Sequence, residues 1–309
     1  MVKKAFIFPG QGAQCVGMSK DFYNSFAESK EIFDDAQSIV DFDILKLCFD
    51  GPLEELSLTN ISQPAILTAS IAALQALRAS GINVTPDYVA GLSLGEYSGL
   101  VAAKSISFQT AVALVAKRGK FMQQASELNP GSMLSLLGLD IDKVSEITKE
   151  TGTFIANLNC PGQIVISGKN DNLKAAEVLA KEKGAKRVLP LNVSGPFHTE
   201  LMQEASQKLE NELVKTKVKE PACNVVFNVT GDIEGAPDMI KVNLSKQVSQ
   251  TTYWQKSVEY MANNGVSVFF EIGPGQVLKG LLKRINPDLK VYNIGSLEDI
   301  ENVKKDLGA

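Results

Sequence analysis

Three times in this chain a short apolar run stops at a glycine-bearing turn. "KKAFIF" runs into "PGQG", "PDYVAG" into "LSLG" with "EYSGLVAA" behind it, and "VSVFFEIGPG" into "QVLKGLLKRI". Short apolar runs bounded by glycine fit buried strands, and longer stretches with one apolar face fit helices. Helical patterns at about 18–40, 63–80 and 108–127, with further strands "NVVFNV" and "KVYNIG", continue the alternation. Strands alternating with helices leave few choices: a mostly parallel sheet covered on both faces, an α/β fold.

The texture changes after residue 129. "GSMLSLLGL", "DIDKVSEITKET", "TFIANLN", "QIVISG", "NDNLKAAEVLAKEKG" and "AKRVLPL" read as β-α-β-β-α-β, the ferredoxin-like pattern. The expected division is a main domain of residues 1–129 and 192–309, with 130–191 as an insert. A length of 309 residues accommodates that plan. After "NVVFNV" a polar stretch is expected to about residue 240, then a helix at "YWQKSVEYMANNG".

Composition removes several function classes. A net charge of −4 gives no basic footprint for nucleic acid. Cys15, Cys48, Cys160 and Cys223 are far apart, and His198 is the single histidine, so a zinc site is not expected. The N-terminal apolar run is too short for a signal peptide or membrane span, so the expected setting is cytoplasmic with reduced thiols.

Ser93 lies in a Gly-x-Ser-x-Gly frame between a strand and a helix, the setting of a nucleophile elbow. The frame alone is weak; its context places it at the carboxyl end of a parallel sheet, where ligands bind. A serine hydroxyl needs a base, and His198 in "SGPFHTEL" is the one histidine available. No carboxylate stands out to orient it, so a backbone carbonyl or an amide is the alternative. Arg118, on the helix at 108–127, is either a solvated surface cation or a bidentate clamp for a substrate carboxylate. "FPGQGAQ" lacks the Gly-Lys-Ser/Thr ending of a phosphate loop.

Together "FPGQGAQ", "GLSLGEYSGL", "KRGKFMQ", "NCPGQIVISG", "SGPFH", "KQVSQTTYWQKSVEYM" and "EIGPGQVLKGL" stand in the order found in malonyl-CoA:acyl carrier protein transacylases. From about residue 3 to 297 the chain resembles that family. The resemblance implies an α/β-hydrolase-like core with a ferredoxin-like insert. It implies Ser93 as nucleophile, His198 as general base, and the backbone N–H groups of Gln11 and Leu94 as oxyanion hole. It further implies Arg118 and Met122 at the acyl carboxylate, and Gln247 orienting the histidine in part through its backbone carbonyl. Phe197 resembles the bulky residue associated with malonyl over methylmalonyl selection. The implied partners are malonyl-CoA and acyl carrier protein, with no cofactor, metal, nucleic acid or membrane, and a monomer.

One departure is Leu92, where the family usually has histidine. Lys279, Lys283 and Arg284, and Lys183, Lys186 and Arg187, are two candidate docking patches for an acidic carrier. Two other readings share the elbow: a serine hydrolase of acyl thioesters, and a discrete acyltransferase serving a polyketide pathway.

Overall fold

Side chains alternate along β1 (Lys3–Phe8), and this alternation sets the layers. Phe6 and Phe8 enter one hydrophobic core while Ala5 and Ile7 enter another on the opposite face. The computed structural model describes residues 2–308. Within them the larger sheet has the order β10-β9-β1-β2-β7-β8, with β2 at Tyr88–Gly91, β7 at Asn224–Phe227, β8 at Asp232–Ile233, β9 at Val266–Ile272 and β10 at Lys290–Ile294. All neighbours pair in parallel except β8, a two-residue edge strand antiparallel to β7.

The helix Thr59–Ala79 is buried almost all round, and its sequence of Ala, Ile, Leu, Ser and Thr suits that position. It packs against Phe108–Leu128. At their crossing, a Cβ on Gly119 would lie 2.8 Å from the Thr59 carbonyl oxygen. Glycine therefore allows this close approach, which sets Arg118 beside Gln63.

The second sheet, β4-β5-β3-β6, comprises β3 (Gly131–Leu137), β4 (Phe154–Cys160), β5 (Gln163–Lys169) and β6 (Arg187–Pro190), all antiparallel. Helices Ile141–Thr151 and Asn170–Glu182 cover one face, where Leu134, Leu136, Ile164 and Ile166 form a separate core. Met133 and Val165 instead join the main core. Thr252 ties this layer to the larger sheet: its N–H donates to Ala156 O at 2.8 Å, and its carbonyl accepts from Leu158 N–H at 2.9 Å.

Several elements differ from the sequence expectation. The helical pattern at 18–40 is two helices, Lys20–Ser25 and Ala27–Gln37, because Phe26 is extended with φ −129°. The polar stretch up to about residue 240 holds β8 and the start of helix Pro237–Gln247, which begins on proline at its first turn. Helices Ile44–Asp50 and Leu297–Leu307 also form, each with a side-chain cap, from Asp43 and Ser296 respectively.

Candidate active site

The strands β1, β2 and β9 end at the same edge of the sheet; the turns after β1 and β2 and the start of helix Val277–Ile285 after β9 border a cavity of about 280 Å³. β3, β4 and β5 of the second sheet form its other wall, through Met133, Asn157, Asn159, Gln163 and Val165. Ser93, His198, Arg118, Met122, Phe197 and Gln11 all line it, and so does Leu92.

Ser93 sits between β2 and helix Gly95–Ala102 with φ +53°. A β-carbon-bearing residue in that region costs roughly 1–3 kcal/mol and persists only where its surroundings impose it. Here the surroundings are tight. A Cβ on Gly91 would overlap the Gly95 backbone, and one on Gly95 would lie 2.9 Å from Phe8 C. The Ser93 N–H donates to Asn228 Oδ1 at 2.6 Å, and the Ser93 carbonyl accepts from Gln247 Nε2 at 2.8 Å.

His198 is buried, also with positive φ, +60°. Its Nδ1 lies 2.7 Å from the Gln247 carbonyl oxygen. A carbonyl only accepts, so Nδ1 carries the proton and Nε2 keeps a lone pair. Burial lowers the imidazole pKa to about 4; the Gln247 carbonyl pulls it up and the Arg118 charge pushes it down. His198 is thus a neutral base at ordinary pH.

Arg118 is only 1% exposed. Its Nη1 donates to Gln63 Oε1 at 2.5 Å, and its Nη2 to both Gln247 Oε1 at 2.9 Å and Ser93 Oγ at 3.1 Å. Gln63 in turn donates to Met122 Sδ at 3.4 Å. The Nε–H of Arg118 has no acceptor among the described residues. The surface-cation reading of Arg118 is therefore overturned. Ser93 and His198 share the cavity, but no hydrogen bond joins them; the Ser93 hydroxyl accepts from Arg118 instead.

The backbone N–H groups of Gln11 and Leu94 donate to no acceptor among the described residues. Leu94 is the cap of helix Gly95–Ala102, where free N–H groups and the helix dipole favour negative charge.

Sequence reasoning missed three polar residues of this network: Gln63, Glu96 and Asn228. Glu96 is 1% exposed, and burial raises its carboxyl to about 8, opposed by the Asn228 N–H, the Arg118 charge and the Gln247 amide. Its signal was a carboxylate at the head of an otherwise apolar helix, "EYSGLVAA".

The two proposed cationic patches are rearranged by the fold. Lys183 is engaged by Glu146 and Glu150 at 2.9 and 3.4 Å. Arg284 reaches across to the insert, donating to Gln163 Oε1 at 2.7 Å and Pro161 O at 3.2 Å. Lys186, Arg187 and Arg284 line one recess of about 360 Å³. Gln163 also lines the main cavity, so the recess adjoins it.

An elbow serine, a neutral histidine and a buried arginine in one cavity suit acyl transfer, and residues 5–303 match the acyl transferase domain family. Among curated proteins, the malonyl CoA-acyl carrier protein transacylase of Bacillus subtilis (strain 168) is 45% identical over 306 residues, 97% of this chain and 96% of that one. Among solved structures, the acyl-carrier-protein-S-malonyltransferase of Bartonella henselae superposes with TM-score 0.95 at 38% identity, covering 99% of this chain and 100% of that one. A malonyl-transacylase solved in complex with its type II PKS acyl-carrier protein gives 0.94 at 37%, covering 98% and 99%. The chain belongs to the malonyl CoA-acyl carrier protein transacylase family.

Proposed function

We propose that this protein transfers a malonyl group from malonyl-CoA to the phosphopantetheine thiol of acyl carrier protein, supplying the extender unit for fatty-acid synthesis. One observation carries this reading: a serine on a strained elbow shares a cavity with a neutral histidine and a buried arginine that has an unpartnered N–H. Arg118 suits an acyl group with a free carboxylate, which a planar guanidinium takes bidentately. A carboxylate held there would compete for Arg118 and release the Ser93 hydroxyl toward His198.

Ser93 Oγ then attacks the thioester carbonyl, and its proton passes to His198 Nε2. The oxyanion forms against the N–H groups of Gln11 and Leu94, each worth roughly 3 kcal/mol in such sites. The C–S bond breaks, and His198 returns the proton to the coenzyme A thiolate. The carrier thiol next gives its proton to His198 and attacks the malonyl-serine ester. Ser93 Oγ leaves and recovers that proton, completing a ping-pong cycle. Gln247 orients His198, Met122 and Phe197 shape the acyl end, and Phe197 favours malonyl over methylmalonyl. Equal kcat/KM for the two thioesters would contradict that preference.

Residues 130–191 act in this scheme as an inserted domain that closes one wall of the cavity. The chain works as a cytoplasmic monomer without metal; among the described residues no helix is long and apolar enough to cross a membrane. The acidic carrier docks over the recess of Lys186, Arg187 and Arg284. A polyketide carrier is the second reading, favoured by the similarity to the type II PKS complex; competition between the two carriers for malonyl-enzyme decides between them.

Intact mass after brief incubation with malonyl-CoA tests the core of the proposal. The wild type is expected to gain one malonyl group, Ser93→Ala none, and added carrier protein to remove it. Free malonate without carrier-bound product would make the protein a hydrolase instead.

A further inference from the structure

Glu96 lies outside the lining of the cavity, yet it stands one contact away from Ser93, His198 and Arg118. Its Oε1 accepts from the Asn228 N–H and its Oε2 from Gln247 Nε2, each at 2.5 Å. Asn228 brackets the elbow, with Oδ1 on the Ser93 N–H and Nδ2 on the Gly91 carbonyl at 2.7 Å. Gln247 meets the rest: its amide oxygen takes Arg118 Nη2, and its backbone oxygen takes His198 Nδ1.

The two ends of a glutamine amide have nearly one size and opposite hydrogen-bonding sense. Gln247 is fully buried, so no water corrects a wrong choice. With the amide as found, Nε2 faces two acceptors, Ser93 O and Glu96 Oε2, while Oε1 faces the guanidinium. Turned over, its NH2 would oppose the Arg118 N–H, donor against donor in a dry site. A direct Glu96–Arg118 ion pair would also occupy the N–H groups an acyl carboxylate needs. Instead Arg118 is held by Gln63, Gln247 and Ser93, with its Nε–H left over.

We propose that Glu96 is a positioning residue for acyl selection: it fixes the Gln247 amide with its carbonyl toward Arg118, and so holds the guanidinium ready for an acyl group bearing a carboxylate. This rests on the malonyl-transfer reading above. Both Glu96 oxygens face donors, so it serves here as a carboxylate despite the burial that raises its pKa, whereas in Glu96→Gln the new amide offers one acceptor to the same two donors. The Asn228 N–H is fixed backbone, so the Gln247 amide gives way.

The test compares two acyl donors on wild type and Glu96→Gln: malonyl-CoA, which carries the carboxylate, and p-nitrophenyl acetate, which does not. The expected result is a fall of at least about tenfold in kcat/KM for malonyl-CoA, with ester hydrolysis within about twofold of wild type. Equal losses on both donors, or none on either, overturn the proposal, since a support role for the elbow alone would move both together. If Glu96→Gln does not fold, Glu96→Asp, one methylene shorter, is judged by the same ratio. Wild type that gains no malonyl group would overturn the function and this inference with it; wild type that gains it beside an unselective variant would overturn the inference alone.

Discussion

At Arg118, a full positive charge is buried and still partly unpartnered. Burying a charge is costly unless polar groups compensate it, and here three side-chain oxygens do so. That charge also reaches His198, and with burial it keeps the imidazole neutral. The direction has a kinetic consequence. A lowered pKa means the base form persists to lower pH, so acylation of Ser93 should stay level through the region of an ordinary histidine, about 6.5. It should fall only as the pH drops through about 4. Rapid-quench acylation rates read this directly; an acid limb near 6.5 would show that His198 is not the buried base inferred. Ser93, His198 and Arg118 were legible in the sequence because their types carry intrinsic chemistry. Glu96 and Asn228 were not, because each matters only through what it touches, 151 and 135 positions away at Gln247 and Ser93.

At the scale of the element, the strand–turn–helix of 88–102 works because glycine stands on both sides of the serine. Gly95 lets its helix start against the end of β1, where a Cβ would meet Phe8 and Pro9. Gly95→Ala should therefore cost about 1–3 kcal/mol of stability, as overpacking does. It should also lower the acylation rate by displacing Leu94 and Ser93 together. Denaturant melts beside malonyl-labelling rates check both; a variant as stable and fast as wild type would mean the elbow tolerates a wider turn. Helix Leu297–Leu307 shows what local reading overlooked. "SLED" carries its signal, Ser296 accepting from the Asp299 N–H, but the polar face hides the periodicity of Ile300 and Val303.

For the whole molecule, the decisive event is the meeting of the two sheets. The insert contributes a wall of the cavity, and Thr252 and Arg284 strap it to the main layer. Arg284 from one cationic patch meets Lys186 and Arg187 from the other, about 100 residues away in the chain, in one recess. Arg187 makes no ion pair among the described residues, whereas Lys183 is neutralised by two glutamates. Charge reversal Arg187→Glu should thus raise KM for carrier protein several-fold, and more at low salt, while leaving malonyl-CoA acylation unchanged. Lys183→Glu should do less. Unaltered carrier KM for Arg187→Glu at low salt would move the docking surface elsewhere.

The sequence by itself determined the alternation of strands and helices, the ferredoxin-like order of the insert, and the residue types at the centre of the cavity. Those follow from periodicity and turn chemistry, which act over a few neighbouring residues. Only the tertiary structure decided the histidine tautomer, the burial of Arg118, the Glu96–Gln247–Asn228 network and the meeting of Arg284 with Lys186 and Arg187. Each of these depends on desolvation and on hydrogen bonds closed between segments far apart in the chain, and neither exists until those segments pack together.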